Sequence, residues 1–279
     1  MAKRIAAVIL AAGQGTRMKS DLPKVLHPLA GRPMLEHVLE AARAIDASPV
    51  VAVVGHGADQ VRDQFAASAL HFAVQAEQLG TGHALVCAEA ALSGFTGDLL
   101  LLCGDVPLLQ PATLQNLVTH HRTQQAAVTI LTAHLDDPTG YGRILRGLAG
   151  VERIVEEKDA SLAEKEVREI NTGIYLFRAP EVFDLLRQLD NRNAQGEYYL
   201  TDVVALARQA GERVDALAVE DVREATGIND RRQLAFAMGV LRERINDRHM
   251  LAGVTLVDPT TTYIDVDVQI GSDTLLHPG

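Results

Sequence analysis

The sequence predicts an α/β fold with a mostly parallel sheet, and three observations predict it. Short aliphatic runs of strand length alternate with stretches whose apolar residues recur at helical spacing. Two of those runs end in marked punctuation: Gly13 and Gly15 follow residues 5–10, and Gly104-Asp105 follows 99–102. Aliphatic side chains must also supply the core, because aromatics make up 4% of the 279 residues and Trp is absent. A chain of this length can bury one large domain, or one plus an appendage.

Taken in order, residues 5–10 carry β-branched Ile5, Val8 and Ile9 and read as a strand buried on both faces. That strand delivers the loop Leu10-Ala11-Ala12-Gly13-Gln14-Gly15-Thr16-Arg17-Met18, followed by Leu22-Pro23-Lys24-Val25. Met34, Leu35, Val38, Leu39, Ala42 and Ile45 give residues 34–44 the spacing of a helix with one buried face. Strands over 50–54 and 70–74 bracket a short helix over 59–65. Helices over 82–91 and 112–121 then alternate with strands over 99–102 and 128–133. Right-handed crossovers place ligands outside the carboxyl ends of such strands.

After Asp136 the rhythm changes. Residues 137–140 mark a turn, 142–146 and 151–156 read as a hairpin of exposed strands, and 167–177 restores a strand. Helices over 180–189 and 200–209 and a last strand over 213–219 follow. Leu234, Met238, Leu241 and Ile245 share one face of a helix over 230–250, about 30 Å long at 1.5 Å per residue and with the reach of a spacer. In the tail, Ile264, Ile270 and Leu276 recur every six residues, as in a β-helix, although two short strands would also produce the pattern. A solenoid needs several coils to bury its core and this chain carries about one, so a piece of a longer protein is expected.

The net charge of −10 argues against a nucleic-acid or anionic-membrane partner. No signal peptide or 18-residue apolar span is legible, which predicts a cytosolic location. Cys87 and Cys103 are the only cysteines, with no C-x-x-C spacing, which excludes a disulfide framework and a structural zinc site. His120 and His121 are expected at the exposed end of a helix, without chemistry.

The first loop carries the clearest chemistry. Gly13 and Gly15 let the backbone turn and aim N–H groups at an anion, and Arg17 and Lys24 add full charge. Residues 1–30 hold five basic residues (Lys3, Arg4, Arg17, Lys19, Lys24) against one acidic residue, Asp21. The loop is not G-x-G-x-x-G, since Met18 fills the sixth position. Nor is it the phosphate loop of the triphosphatases, since Met18 and Lys19 stand where its second Gly and its Lys would be. Asp105 ends an apolar strand where a sheet presents its site; it suits Mg²⁺, which takes one or two carboxylates plus substrate phosphates, and equally a helix cap after Pro107. The glycine loop upstream favours the metal. Gln75 offers both donor and acceptor, as reading a pyrimidine edge requires, and Gly80 would let a base approach the backbone; taken alone, they read as a loop residue and a helix start. Later polar clusters at 140–143, 154–156, 169–173 and 193–202 could grip a hydroxyl-rich ligand.

Together, L-A-A-G-x-G-T-R-M, D-L-P-K-V-L-H, Q-x-E-Q-L-G-T-G-H-A, G-D-V-P-L, D-D-P-T-G-Y-G-R-I, E-I-N-T-G and N-A-Q-G-E-Y-Y-L-T-D resemble one family of sugar-nucleotide pyrophosphorylases. It is the bifunctional N-acetylglucosamine-1-phosphate uridylyltransferase / glucosamine-1-phosphate acetyltransferase family, matched over its uridylyltransferase half. The resemblance runs from residue 5 to about 251 and into the hexapeptide tail. It implies a Rossmann-like nucleotidyltransferase domain over 1–229, a linker helix over 230–251, and the start of a left-handed β-helix over 252–279. It also implies cytoplasmic, Mg²⁺-dependent transfer of uridylyl from UTP to N-acetylglucosamine 1-phosphate. The products would be UDP-N-acetylglucosamine, for peptidoglycan and lipopolysaccharide precursors, and pyrophosphate.

Carried over residue by residue, Leu10, Ala11, Ala12 and Gly13 would hold the nucleotide, with Gly15 and Thr16 in the same loop. Arg17 and Lys24 would hold the triphosphate and, with Asp105, carry catalysis. Gln75, Gly80 and Thr81 would take the uracil, and Cys103, Gly104 and Asp105 would flank the nucleotide. Gly142, Glu156 and Asn171 would bind the sugar, with Tyr199 and Thr201 nearby, and Asp105 and Asn229 would ligate Mg²⁺. Cys103 departs from the Tyr that some relatives carry, though its backbone can still serve. In the family the β-helix trimerises the protein and carries acetyl transfer from acetyl-CoA. Those residues would lie beyond Gly279, so no acetyltransferase activity and a weakened trimer are expected here. The rivals are another sugar-1-phosphate nucleotidyltransferase and a non-catalytic sugar-nucleotide sensor. A dinucleotide-dependent oxidoreductase lacks its third glycine.

Overall fold

The computed structural model describes residues 4–148 and 150–278, so Lys3 and the last residue of the tail, Gly279, lie outside the described residues. The chain runs β1 (Ile5–Ala11), a short hairpin of β2 (Pro28–Leu29) and β3 (Arg32–Pro33), α1 (Met34–Arg43), β4 (Val50–Val54), α2 (Ala58–Gln64), β5 (His71–Val74), α3 (Thr81–Cys87), β6 (Gly97–Cys103), α4 (Pro111–Gln124) and β7 (Val128–His134). It continues through β8 (Arg143–Gly147), β9 (Gly150–Val155), α5 (Leu162–Lys165), β10 (Glu169–Ala179), α6 (Glu181–Leu186), α7 (Asp202–Gln209), β11 (Val214–Ala218), α8 (Arg231–Leu251), β12 (Thr255–Leu256) and β13 (Leu275–Leu276).

Among the described residues nine strands form one sheet, in the order β11-β7-β10-β6-β1-β4-β5, with the β8–β9 hairpin attached to β10. The β1–β6, β1–β4, β4–β5 and β7–β11 pairs are parallel, while β10 runs antiparallel between β6 and β7. The sheet is thus α/β and mostly parallel on its amino-terminal side. Both faces are covered, as continuous aliphatic strands require. One core joins β1, β4 and β6 to α1, α2 and α4; the other joins them to α3, α6 and α7. β1 and β6 are fully buried at their centres, and Leu10 sits beside Cys103 in the ladder. That register brings the glycine loop and Gly104-Asp105 to the same edge.

Two expectations change. The β8–β9 hairpin is not exposed: Arg143, Ile144, Val151 and Ile154 are buried, the apolar ones in the core beneath α7. Alternating Arg, Glu and Ile hid a strand pair with one covered face. His121 is also buried rather than exposed; its Nδ1 lies 2.8 Å from Thr129 Oγ1 and its Nε2 3.8 Å from the buried carboxylate of Asp98. α4 extends to Gln124, three residues past the expected end, and so carries His121 inward.

α8 starts at a side-chain cap, Asp230 Oδ1 accepting from the N–H groups of Arg232 and Gln233 at 2.8 and 2.9 Å. It packs with Leu29, Met34, Leu108 and Ile228 in a third core. Val254, Leu256 and Ile264 of the tail join that core, with Ile270 and Leu276 packed against it. β12 and β13 pair in parallel, Leu256 against Leu276, so the chain travels around and returns beside itself. The tail is also tied to the β2–β3 hairpin, through Val266 N–H to the carbonyl of Ala30 at 3.0 Å and an Arg32–Asp267 ion pair.

Candidate active site

At the carboxyl ends of β1 and β6 opens a cavity of about 300 Å³. Leu10, Ala11, Ala12, Gly13, Lys24, Gln75, Gly80, Thr81, Cys103 and Asp105 line it. Ten of the residues named from sequence therefore meet in one cleft. Val25, Gln78, Ala84 and Glu197 line it too; the first three lie in the quoted motifs beside assigned residues and Glu197 in the N-A-Q-G-E-Y-Y segment, but none had been given a role.

The glycine loop closes through a short 3₁₀ turn over Thr16–Met18. Gly15 precedes it at φ +63°, where a Cβ would stand 2.7 Å from Lys24 Cβ. Glycine is required there, and it is what lets the loop lie against Lys24. Gly13 differs from the expectation, since a Cβ there would meet nothing within 4 Å; the turn rests on Gly15, and Gly13 leaves open space toward the cavity it lines. Thr16 and Arg17 are exposed beside the cavity rather than in its wall. The Arg17 guanidinium lies near enough to Asp230 to contribute to holding that carboxyl below its ordinary value, after the backbone N–H groups that cap α8.

Lys24 is the pivot. Its Nζ donates to Asp105 Oδ2 at 2.5 Å and to Asn229 Oδ1 at 3.1 Å. Ile228 N–H donates to the carbonyl of Asp105 at 2.8 Å, which fixes Asn229 against the end of β6. Asp105 does not cap α4. Glu224 does that work, accepting from the Gln110 N–H at 2.9 Å and from Thr113 Oγ1 at 2.7 Å. Gly104 N–H donates to the carbonyl of Leu10 at 2.9 Å, so Gly104 joins the two strand ends.

Gln75 is buried, not a solvated loop residue. Its Nε2 lies 3.0 Å from the carbonyl of Gly80 and 3.1 Å from His83 Nδ1. Gly80, at φ +107°, is pressed by the backbone of Tyr198, 2.7 Å from where a Cβ would sit. Its glycine thus serves packing against the 197–198 segment as well as any ligand. Thr81 Oγ1 accepts from Leu200 N–H at 3.3 Å. Cys103 donates its thiol to the carbonyl of Gly173 at 3.5 Å. Burial pushes that thiol up to about 12, with Asp105 adding to the shift and Lys24 opposing it.

The residues assigned to the sugar gather in a second cluster. Asn171 N–H donates to the carbonyl of Gly142 at 2.9 Å, and Thr201 Oγ1 donates to Glu156 Oε1 at 3.1 Å. A Cβ on Gly142 would crowd Ile154 Cγ2 at 3.1 Å and touch Glu156 Oε2 at 3.4 Å, so glycine leaves room beside that carboxylate. Burial raises the Glu156 carboxyl above its ordinary value; Asp202, Asp159 and Glu197 add repulsion and the Thr201 bond opposes it. Tyr199 is buried and donates its hydroxyl to Asp159 Oδ2 at 3.2 Å.

Asp105 and Asn229 present two hard oxygens to one cation, at present the Lys24 ammonium. Among the described residues no group of three or more His, Cys, Asp or Glu could hold a metal. Such a sparse donor pair fits Mg²⁺, which keeps waters and takes its remaining ligands from substrate phosphates.

A glycine loop with a lysine at the end of a central parallel strand, facing a strand-end aspartate, defines a nucleotidyltransferase. The chain belongs to the MobA-like NTP transferase domain family, whose model matches residues 7–204. The motif resemblance is borne out by curated relatives. "Bifunctional protein GlmU" of Pelobacter propionicus is 59% identical over 278 residues, 99% of this chain and 60% of that protein. The protein of the same name from Syntrophotalea carbinolica is 58% identical over 275 residues, 99% of this chain and 59% of its own length. The chain thus spans about 60% of the relatives it matches. A crystal structure of UDP-glucose pyrophosphorylase complexed with UDP-glucose superposes with a TM-score of 0.70 at 17% identity, over 88% of this chain and all of that one, which establishes the fold. Reactions of this class depend in general on a metal. Among the described residues no helix is long and apolar enough to cross a membrane.

Proposed function

We propose that this chain transfers uridylyl from UTP to N-acetylglucosamine 1-phosphate, releasing pyrophosphate and UDP-N-acetylglucosamine in the cytoplasm. The observation that carries the reading is the convergence of Lys24, Asp105 and Asn229 at the glycine loop, one cavity wall away from Gln75. Lys24 donates to Asp105 and Asn229 in this structure, and a cation taking those two oxygens would free its ammonium to face the phosphate oxygens. Arg17, exposed at the mouth, supplies a second charge to the triphosphate. Bound Mg²⁺, held by Asp105 and Asn229, would neutralise phosphate charge. The acceptor phosphate is already an anion, so no general base is required: its oxygen attacks the α-phosphorus in line as the bond to pyrophosphate breaks. The protein contributes position and charge.

Glu156 Oε2 and the NH2 end of the Asn171 amide, whose Oδ1 already accepts from Gly173 N–H at 3.0 Å, suit the hydroxyl and acetamido groups of the acceptor. The domain reading goes with this: transferase over 1–229, linker helix over 230–251, and from 252 the first coil of a β-helix that in the longer protein would build a homotrimer and use acetyl-CoA. The test is pyrophosphate release with Mg²⁺ and N-acetylglucosamine 1-phosphate, offering UTP, CTP, GTP, ATP and dTTP in parallel. Release with UTP, abolished by EDTA, is the expected result. Turnover with another triphosphate or another sugar phosphate would replace the substrates, and UDP-N-acetylglucosamine binding without turnover would make the chain a sensor.

A further inference from the structure

We propose that His83, which touches no ligand position itself, is a positioning residue that fixes the Gln75 amide so that only its carbonyl faces the base; the inference rests on the uridylyl reading above. The carbonyl of Gly80 can only accept, so the amide atom 3.0 Å from it must be the donor, Nε2. The same Nε2 lies 3.1 Å from His83 Nδ1, which must then be the unprotonated, accepting nitrogen. His83 therefore carries its proton on Nε2, which faces Cys87 Sγ one helical turn on, at 3.9 Å. Burial raises the Cys87 thiol above its ordinary value, so the sulfur stays protonated and neutral beside that ring.

Both amide hydrogens of Gln75 are thereby spent, one on Gly80 and one on His83, and Oε1 is what remains for the cavity Gln75 lines. A lone acceptor set opposite ring position 3 selects a base that presents an N–H there, since the pairing-edge N–H groups of cytosine sit instead on its exocyclic 4-amino group. Uracil does so at N3, whereas cytosine presents a lone pair there and would face Oε1 acceptor to acceptor. To accommodate cytosine the amide would have to turn over, and doing so breaks both anchors at once. His83 supplies one of the two, so it acts on which pyrimidine is accepted and not on the phosphate chemistry.

The experiment is the ratio of kcat/KM for UTP to that for CTP in the wild type, His83→Phe and His83→Asn. His83→Phe keeps a ring and removes the acceptor; the ratio should fall about 10-fold, the worth of one hydrogen bond, largely through better use of CTP. Asn carries its Oδ1 about where Nδ1 stood, so His83→Asn should keep the wild-type ratio. If His83→Phe does not fold, His83→Gln, whose amide reaches toward Cys87 and not Gln75, takes its place with the same expected loss. A packing role would lower the melting temperature or kcat for both nucleotides and leave the ratio unchanged, which would overturn the proposal. So would an equal loss of the ratio in His83→Asn. Failure of the wild type to use UTP at all would instead remove the uridylyl reading.

Discussion

Replacing Gly15 by Ala tests whether the loop holds Lys24 in place. The residue sits at φ +63°, where a side chain costs about 1–2 kcal/mol. The new Cβ would lie 2.7 Å from Lys24 Cβ, and ordinary contact starts at 3.4 Å, so the two must separate by about 0.7 Å. Lys24 Cβ is fixed to the main chain, so relief moves the whole side chain and pulls Nζ from Asp105 and Asn229. Loss of about 2 kcal/mol should lower the melting temperature by about 4–8 °C for a chain of this size. A displacement of that order at the reacting centre should lower kcat by on the order of 100-fold. Gly13→Ala is the control, because its Cβ meets nothing and stability should not change. The assays are thermal melts and pyrophosphate release with UTP. A Gly15→Ala enzyme that melts and turns over like the wild type would refute the reasoning.

Arg17→Ala and Asp105→Ala should each lower kcat by about 100-fold, as loss of one oriented charge implies, and near wild-type turnover by Asp105→Ala would remove it from the metal site. For Glu156 the folded value lies above the unfolded one, so the folded state binds the extra proton and this group adds stability as pH falls toward 4.5 and withdraws it as pH rises through the folded value. Glu156→Gln should abolish that dependence, seen as melting temperature against pH, while raising KM for the sugar phosphate about 10-fold or more. Cys103 should resist iodoacetamide at pH 8, where a thiol with a value of about 12 is ionised to about one part in ten thousand; peptide mapping that finds this half-buried cavity residue alkylated in the native protein would contradict the raised value.

Much of this was legible because local pattern and tertiary role coincide. Ile5 to Leu10 and Leu99 to Leu102 are apolar throughout because both faces of the sheet are covered, and short crossovers then force the loops after them onto one edge. What escaped the sequence depends on partners remote along the chain. Glu224 caps α4 from 114 residues away, so nothing near Gln110 announces it. Glu169 opens the E-I-N-T-G motif but is spent on Arg146 and Thr132, each at 2.7–2.8 Å, while Asn171 joins Gly142 through its backbone N–H. α5 has four residues, too few for periodicity, and is legible only as the capping box of Ser161 and Glu164. His83 reads as one more helix residue until the amide beside it is seen to have a single free atom.

Asn229 meets Lys24 across 205 residues of sequence, and two residues later Arg231 Nε donates to the carbonyl of Met18 at 3.2 Å, clasping the end of the glycine loop. Both come from the entry to α8, outside the span that the family model matches. The reaction chamber is thus fastened by a bolt thrown from the far end of the chain, and the bolt is continuous with a rod of 21 residues that leads to the tail. The placement of the Lys24–Asp105–Asn229 corner thus rests on how α8 is seated as well as on the glycine loop. A fragment ending at residue 204 would lose β11 and leave the chamber unbolted.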